Sequence, residues 1–328
     1  MHDFDWVDAT TSASASRLLR TVRDRAKVLA GGTDLLDELK EGLLAPDRLV
    51  NIKANKALHY IRFAPTTGLQ IGALATITEL EEHPVVREKY PILAQAAAII
   101  ASPQIRNVAT VGGNLCQRPR CWYYRNDAFH CKRKAGPVCF SVAGENAYHA
   151  ILGGNQCYIV HPSDLAPPLI ALGASVTIFG PAGKRTVPLE KFFIGPKVDI
   201  LRENILQQNE IVEEISVPTP AASTRGAFAK VRERQTWDFA LVSAAAVLHM
   251  AGDTCNDARI VLGAVAPIPW RSLEAEKILR GAKIDAAAAE KAAEAALADS
   301  KPMTQNGYKV PLAKAVLKRA ILGAAGVV

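Results

Sequence analysis

The sequence predicts an α+β fold in three blocks, and two features carry that expectation. Through the first two blocks, short apolar runs of strand length end on glycine turns and lead into helix-like stretches. In the last block, strand candidates come first and alanine-rich helices follow, the order of a sheet with helices segregated to one side.

Ser14–Arg25 opens the first block with Leu18, Leu19 and Val22 at helical spacing. Lys27–Ala30 is a strand candidate, Gly31-Gly32-Thr33-Asp34 a turn, and Leu35–Lys40 a second helix. Leu49–Ile52 predicts another strand, and Tyr60–Ala64 with Leu69–Ile71 a hairpin leading into Gly72-Ala73. The second block holds a helix over Ile92–Ile100, a second glycine turn at Gly112-Gly113-Asn114, a cysteine-rich loop and the apolar stretch Leu165–Ile178. Pro218-Thr219-Pro220 reads as a hinge. Beyond it, Gly226–Arg232, Phe239–His249 and Ala258–Val265 predict strands, and Asp285–Leu297 and Leu312–Ala320 predict helices. The expected divisions are 1–58, 59–219 and 220–328.

With 328 residues, 49% of them hydrophobic, the chain is long enough to bury more than one core. No window approaches the roughly 18 uninterrupted apolar residues of a membrane span. A net charge of +7 would suit nucleic acid, yet aromatics are only 6% and no stripe of basic and aromatic residues occurs, so no nucleic-acid partner is expected. Met1–Thr21 has no apolar stretch of signal-peptide length. The expected location is the cytoplasm, or the periplasm by co-export with a partner carrying a twin-arginine signal.

Cys121, Cys131, Cys139 and Cys157 stand close together in a chain with two other cysteines, Cys116 and Cys255. Arg118, Arg120, Arg125, Arg133 and neighbouring lysines surround them, and a positive field is expected to hold the thiols as thiolates. The spacing C-x9-C-x7-C-x17-C contains no close C-x2-C pair, which argues against zinc ribbons and ferredoxin-type runs. Disulfides, a zinc ion and an iron–sulfur cluster stay open, with wide spacing favouring a group larger than one ion. The glycine turns are the second chemical feature. Each lacks side chains near a helix start, so backbone N–H groups can converge on an anion such as a pyrophosphate. Neither is a G-x-G-x-x-G or a P-loop motif.

Ala30–Leu35 (AGGTDL), Ile71-Gly72-Ala73, Ser102–Leu115 (SPQIRNVATVGGNL), His161-Pro162-Ser163-Asp164 and Leu262–Arg271 (LGAVAPIPWR) resemble, in that order, the FAD-binding subunits of the xanthine dehydrogenase and aldehyde oxidoreductase family of molybdenum hydroxylases. Arg120–Tyr124 and Gly144–Ile151 are similar to the subgroup with an extra [4Fe–4S] cluster in this subunit. The resemblance implies a vanillyl-alcohol-oxidase-type FAD-binding domain of two α/β subdomains, plus a C-terminal antiparallel-sheet and helix domain. It implies noncovalent FAD held by Ala30, Gly31, Gly32, Thr33, Asp34, Leu35, Thr110, Val111, Gly112, Gly113 and Asn114, with Ser163, Asp164, Val212 and Lys230 completing the site. Asp164 would accept from cofactor hydroxyls; as an alternative, it caps the helix that follows.

The resemblance also implies a [4Fe–4S] cluster on Cys121, Cys131, Cys139 and Cys157 in the loop 116–157, with Cys116 left out because it follows the glycine turn so closely. The implied partners are a molybdopterin-containing large subunit, a [2Fe–2S] small subunit and an external electron acceptor, so that the substrate is oxidised elsewhere. A stand-alone FAD oxidase or dehydrogenase and a zinc-stabilised interaction module are the rival readings.

Overall fold

The computed structural model describes residues 2–20 and 25–327. β1 (Asp5–Asp8), β2 (Ala26–Leu29) and β3 (Arg48–Asn51) form a small parallel sheet in the order β1-β3-β2. Parallel neighbours need crossover connections, here made through α1 (Ser12–Arg20) and α2 (Leu35–Lys40). The helix expected over Ser14–Arg25 starts two residues earlier, and its Val22 lies outside the described residues. Strand β1 has no counterpart in the sequence reading, since DWVD is short and mostly exposed.

The second sheet is antiparallel, in the order β4-β5-β8-β6-β7, from β4 (Ile61–Ala64), β5 (Gly68–Gly72), β6 (Ser175–Gly180), β7 (Gly183–Pro188) and β8 (Ile211–Val217). Between β5 and β6 run α3 (Ile77–Glu82), α4 (Pro84–Lys89), α5 (Pro91–Ala98), α6 (Pro103–Arg106), α7 (Val111–Cys116), the cysteine loop and α8 (Ala166–Ala171). The apolar stretch Leu165–Ile178 splits into α8 and β6 because Gly173 adopts φ +74°. Its N–H bonds to the Ile170 carbonyl and that of Ala174 to the Leu169 carbonyl, the paired capping bonds that end a helix at a left-handed glycine.

The last sheet, β12-β11-β10-β9, comprises β9 (Thr224–Val231), β10 (Val242–Ala251), β11 (Thr254–Gly263) and β12 (Trp270–Arg271). It is followed by α9 (Leu273–Leu279), α10 (Ala286–Leu297) and α11 (Lys309–Ala325). Strand β10 is buried on both faces. Ala245 and Val247 join the core of the second sheet, whereas Ala244, Ala246 and Leu248 join the core under the C-terminal helices. Alternate residues of a strand point to opposite faces, so this alanine-rich strand is shared by two cores, and its small side chains let both layers approach closely. Among the described residues no helix is long and apolar enough to cross a membrane.

Two glycines separate conformational need from spatial need. Gly68 (φ +77°) begins β5, and a Cβ there would overlap the carbonyl oxygen of Val217 on β8; Gly42 (φ +74°) has open space around it. Gly68→Ala therefore combines backbone strain with a collision against main chain. It is expected to cost about 3 kcal/mol or more, whereas Gly42→Ala costs about 1 kcal/mol. Denaturant midpoints of the two variants check the difference.

Candidate functional site

The two glycine turns lie against each other. A Cβ on Gly31 would overlap the carbonyl of Val108, just before the second turn, so absence of a side chain is what lets the segments meet. Gly32, at φ +78°, reverses the chain out of β2 and into α2. Ala30 packs against the small core of the parallel sheet, and Thr33 and Leu35 are half-buried. The N–H groups of Gly32, Thr33 and Asp34 donate to no protein group among the described residues. They form a cradle of free donors.

The second turn is different. The Val111 and Gly112 amides donate to the carbonyls of Ala75 and Ala73, the Gly113 amide to Thr110 Oγ1 (3.1 Å), and the Asn114 amide to the Thr110 carbonyl. The sequence reading expected both turns to offer backbone donors to an anion; the structure commits the amides of the second to the protein. What the second turn offers is surface. Gly113 is exposed between buried neighbours, and a Cβ on it would meet Thr110 Oγ1 alone.

Ser163 and Asp164 divide the work expected of Asp164. The Ser163 hydroxyl donates to Asn114 Oδ1 (2.6 Å) and accepts from the Ala166 amide (3.1 Å), so Ser163, not Asp164, caps α8. Asp164 is buried and pairs with Lys230 Nζ at 2.7 Å, and Lys230 also donates to the Asp238 carbonyl. Burial raises the Asp164 pKa, while the Lys230 charge opposes the rise. Val212 lies within β8 with its side chain buried in the main core, because its place in the strand alternation points inward.

All six cysteines are free thiols. Cys121, Cys131, Cys139 and Cys157 line one cavity, together with Tyr123, Phe140, His149 and Ile159. Main-chain hydrogen bonds reach the sulfurs: from Tyr123 and Tyr124 to Cys121, from Ser141 and Tyr158 to Cys139, and from Ile159 to Cys157. Among the described residues no group of three or more His, Cys, Asp or Glu side chains is placed to hold a metal ion. Cys116 ends α7, packs against the main core, and is pushed up to about 12 by burial. Cys255 is buried in the C-terminal core and donates to the Asp257 carbonyl.

The expected positive field reaches Cys157 through Arg133, where burial and the bond to Cys139 outweigh it. Burial pushes the Cys121 thiol up to about 11. Cys139 is held low, at about 5, by a hydrogen bond from Cys157, whose own pKa is raised by the same bond and by burial. Only Arg133 of the surrounding arginines bonds to a cysteine of this set, Cys157. The other arginines are drawn off. Asp34 accepts from Arg120 Nη1 and Arg125 Nη2, both at 2.6 Å, and from the Arg118 amide at 2.6 Å. Glu203, buried on the far side, pairs with Arg118 (2.7 Å) and Arg133. Glu38 of α2 accepts from the Tyr124 hydroxyl.

The first glycine turn and the cysteine loop are thereby one ionic assembly. Glu38, Tyr124 and Glu203 belong to it, and His149 faces Cys121 in the adjoining cavity; all four are absent from the sequence expectations as site residues. Tyr124 and His149 fall within matched segments and Glu38 just beyond one, whereas Glu203 has no sequence cue.

Residues 2–220 match the family model described as the FAD binding domain in molybdopterin dehydrogenase, and residues 227–324 match the CO dehydrogenase flavoprotein C-terminal domain. The chain is 34% identical over 320 residues to the FAD-binding subunit of an aldehyde oxidoreductase of Escherichia coli (strain K12), covering 97% of this chain and 96% of that one. It is 31% identical over 323 residues to the carbon monoxide dehydrogenase medium chain of Hydrogenophaga pseudoflava, covering 97% and 96%. Carbon monoxide dehydrogenase from H. pseudoflava lacking the Mo-pyranopterin moiety superposes with a TM-score of 0.79 at 31% identity, over 98% of this chain and 97% of that one. A cyanide-inactivated Cu,Mo-CO dehydrogenase gives 0.80 at 27%, over 100% and 99%.

The Asp164–Lys230 pair sits with both side chains almost inaccessible, at 8% and 1%. Lys230→Met strands a buried carboxylate and is expected to lower stability by about 3–5 kcal/mol. Adding Asp164→Leu removes the stranded charge and should recover most of that loss, as measured by denaturant unfolding of both variants.

Proposed function

The chain belongs to the FAD-binding subunits of the molybdenum hydroxylases, and from that premise we propose that it holds FAD on its first glycine turn and a [4Fe–4S] cluster on Cys121, Cys131, Cys139 and Cys157. In this reading it passes electrons from a [2Fe–2S] small subunit, served by a molybdopterin-containing large subunit, to an external acceptor. One observation carries the cluster assignment: four thiols widely spaced in sequence line one cavity, and main-chain hydrogen bonds reach three of them, Cys121, Cys139 and Cys157. Cysteine sulfurs, deprotonated on binding, are the donors that iron–sulfur clusters use.

The flavin, when bound, supplies the exchange between one-electron and two-electron carriers. The chain's residues do the holding. The free amides of Gly32, Thr33 and Asp34 would face the pyrophosphate, as unpaired donors at a chain reversal do for anions. Gly113 would leave room beside it, and Asn114, its Oδ1 occupied by Ser163, keeps its Nδ2 donors for the cofactor. Asp164, neutralised by Lys230, would accept from hydroxyls without adding net charge to the pocket. The Asp34 carboxylate is turned to the arginines, so it does not repel a phosphate.

Gly113→Val tests the flavin half. Its Cβ meets only the Thr110 hydroxyl, at 2.9 Å, a side-chain end that can turn away, so the chain should keep its circular dichroism and lose bound flavin by tenfold or more in retention. Retention of full flavin would remove the second turn from the site. Serine at Cys121, Cys131, Cys139 or Cys157 should lower iron and acid-labile sulfide per chain, and Cys116→Ser should leave both unchanged. Iron analysis across the five variants decides the ligand set.

A further inference from the structure

His149 lies inside the cysteine cavity, with Nε2 3.3 Å from Cys121 Sγ. It is buried, and nothing in the family-level assignment gives it a role. Its position is held from three sides. The His149 amide donates to the Asn146 carbonyl, and its carbonyl accepts from Asn306 Nδ2 (3.0 Å) and Lys309 Nζ (3.2 Å). Asn146 in turn exchanges two hydrogen bonds with Gln305, each 2.9 Å. The ring edges onto Trp122, centroids 6.1 Å apart. A segment just before and at the start of α11 thus clamps the histidine at a distance where it meets one sulfur.

Two roles suit such a ring: a fifth ligand competing with Cys121, or a hydrogen-bond donor to the Cys121 sulfur. Orientation favours the donor. Nε2 points at a sulfur at hydrogen-bond distance, leaving no room for a metal ion between them. Once Cys121 ligates as a thiolate it has no proton to give, so the one N–H of a neutral imidazole meets the sulfur when it sits on Nε2, whereas the other tautomer would set a lone pair against it.

We propose that His149 is a positioning residue for the cluster of the preceding section: its Nε2–H donates to the Cys121 thiolate and raises the cluster's reduction potential, and the C-terminal segment Gln305–Lys309 sets that distance. The inference rests on the [4Fe–4S] reading. Hydrogen bonds to cluster sulfurs stabilise the more electron-rich reduced form, so their removal lowers the potential.

The test uses the purified complex, with iron analysis and a redox titration followed by electron paramagnetic resonance. His149→Phe keeps the ring volume and removes the donor. It should retain the iron of the unaltered protein while the cluster midpoint moves negative and the flavin midpoint stays in place. His149→Gln, which returns an amide N–H, should bring back part of the shift. An unchanged midpoint in His149→Phe with full iron overturns the donor role. Loss of iron in both variants also overturns it, since it makes His149 a ligand. An unaltered protein that carries no iron beyond that of its [2Fe–2S] partner overturns the cluster reading itself, and is told apart because it needs no variant.

Discussion

The carboxylate of Asp34 is the constraint on which the rest of the site depends. It sits one residue before α2, directly after the glycine reversal, and gathers two arginine side chains and one backbone amide from the loop 118–125. Each contact is charge-assisted and short, the strong class of hydrogen bond. Asp34 is only 17% exposed and Arg125 10%, so water screens this knot weakly. Two segments more than 80 residues apart in sequence are therefore fixed in register. Held by the arginines, the Asp34 side chain makes no capping bond to α2.

A second level of support comes from the C-terminal domain. Its sheet closes the main core with one face of β10 and its own helices with the other, which ties the FAD-binding part of the chain to the C-terminal domain. At the start of α11, Lys309 is fully buried with no carboxylate partner among the described residues, its Nζ donating to the carbonyls of Tyr148, His149 and Ala264. Burial pushes its pKa down to about 7. Burying a lysine this way is costly, and what it secures is the main chain on the cysteine loop's return path.

Much of the fold was readable where local chemistry decides structure. The glycine reversal set the limits of α2, which the sequence placed at Leu35–Lys40, and proline and alanine patterning located α5 and α10 within a residue or two. Strands β6, β7 and β8 were not readable as such: β7, GKRTVP, alternates half-buried with exposed positions and has no apolar face of its own. The site divided in the same way. Segments that touch through glycine were visible as motifs, and so were the four cysteines. The arginines looked like a field around the sulfurs because they are neighbours in sequence. In space they answer to Asp34 and Glu203, and no pattern of residues along the chain records a partner 84 positions away.

Because the flavin turn and the cysteine loop share one carboxylate, the central claim is that the two cofactor sites stand or fall together. Asp34→Asn keeps the volume and removes the charge, leaving Arg125 and Arg120 without their counter-ion. Flavin and iron content measured on the same purified preparation give the most direct answer. The account predicts that both fall together, with the loop becoming sensitive to protease. Full retention of flavin and iron in Asp34→Asn would contradict it.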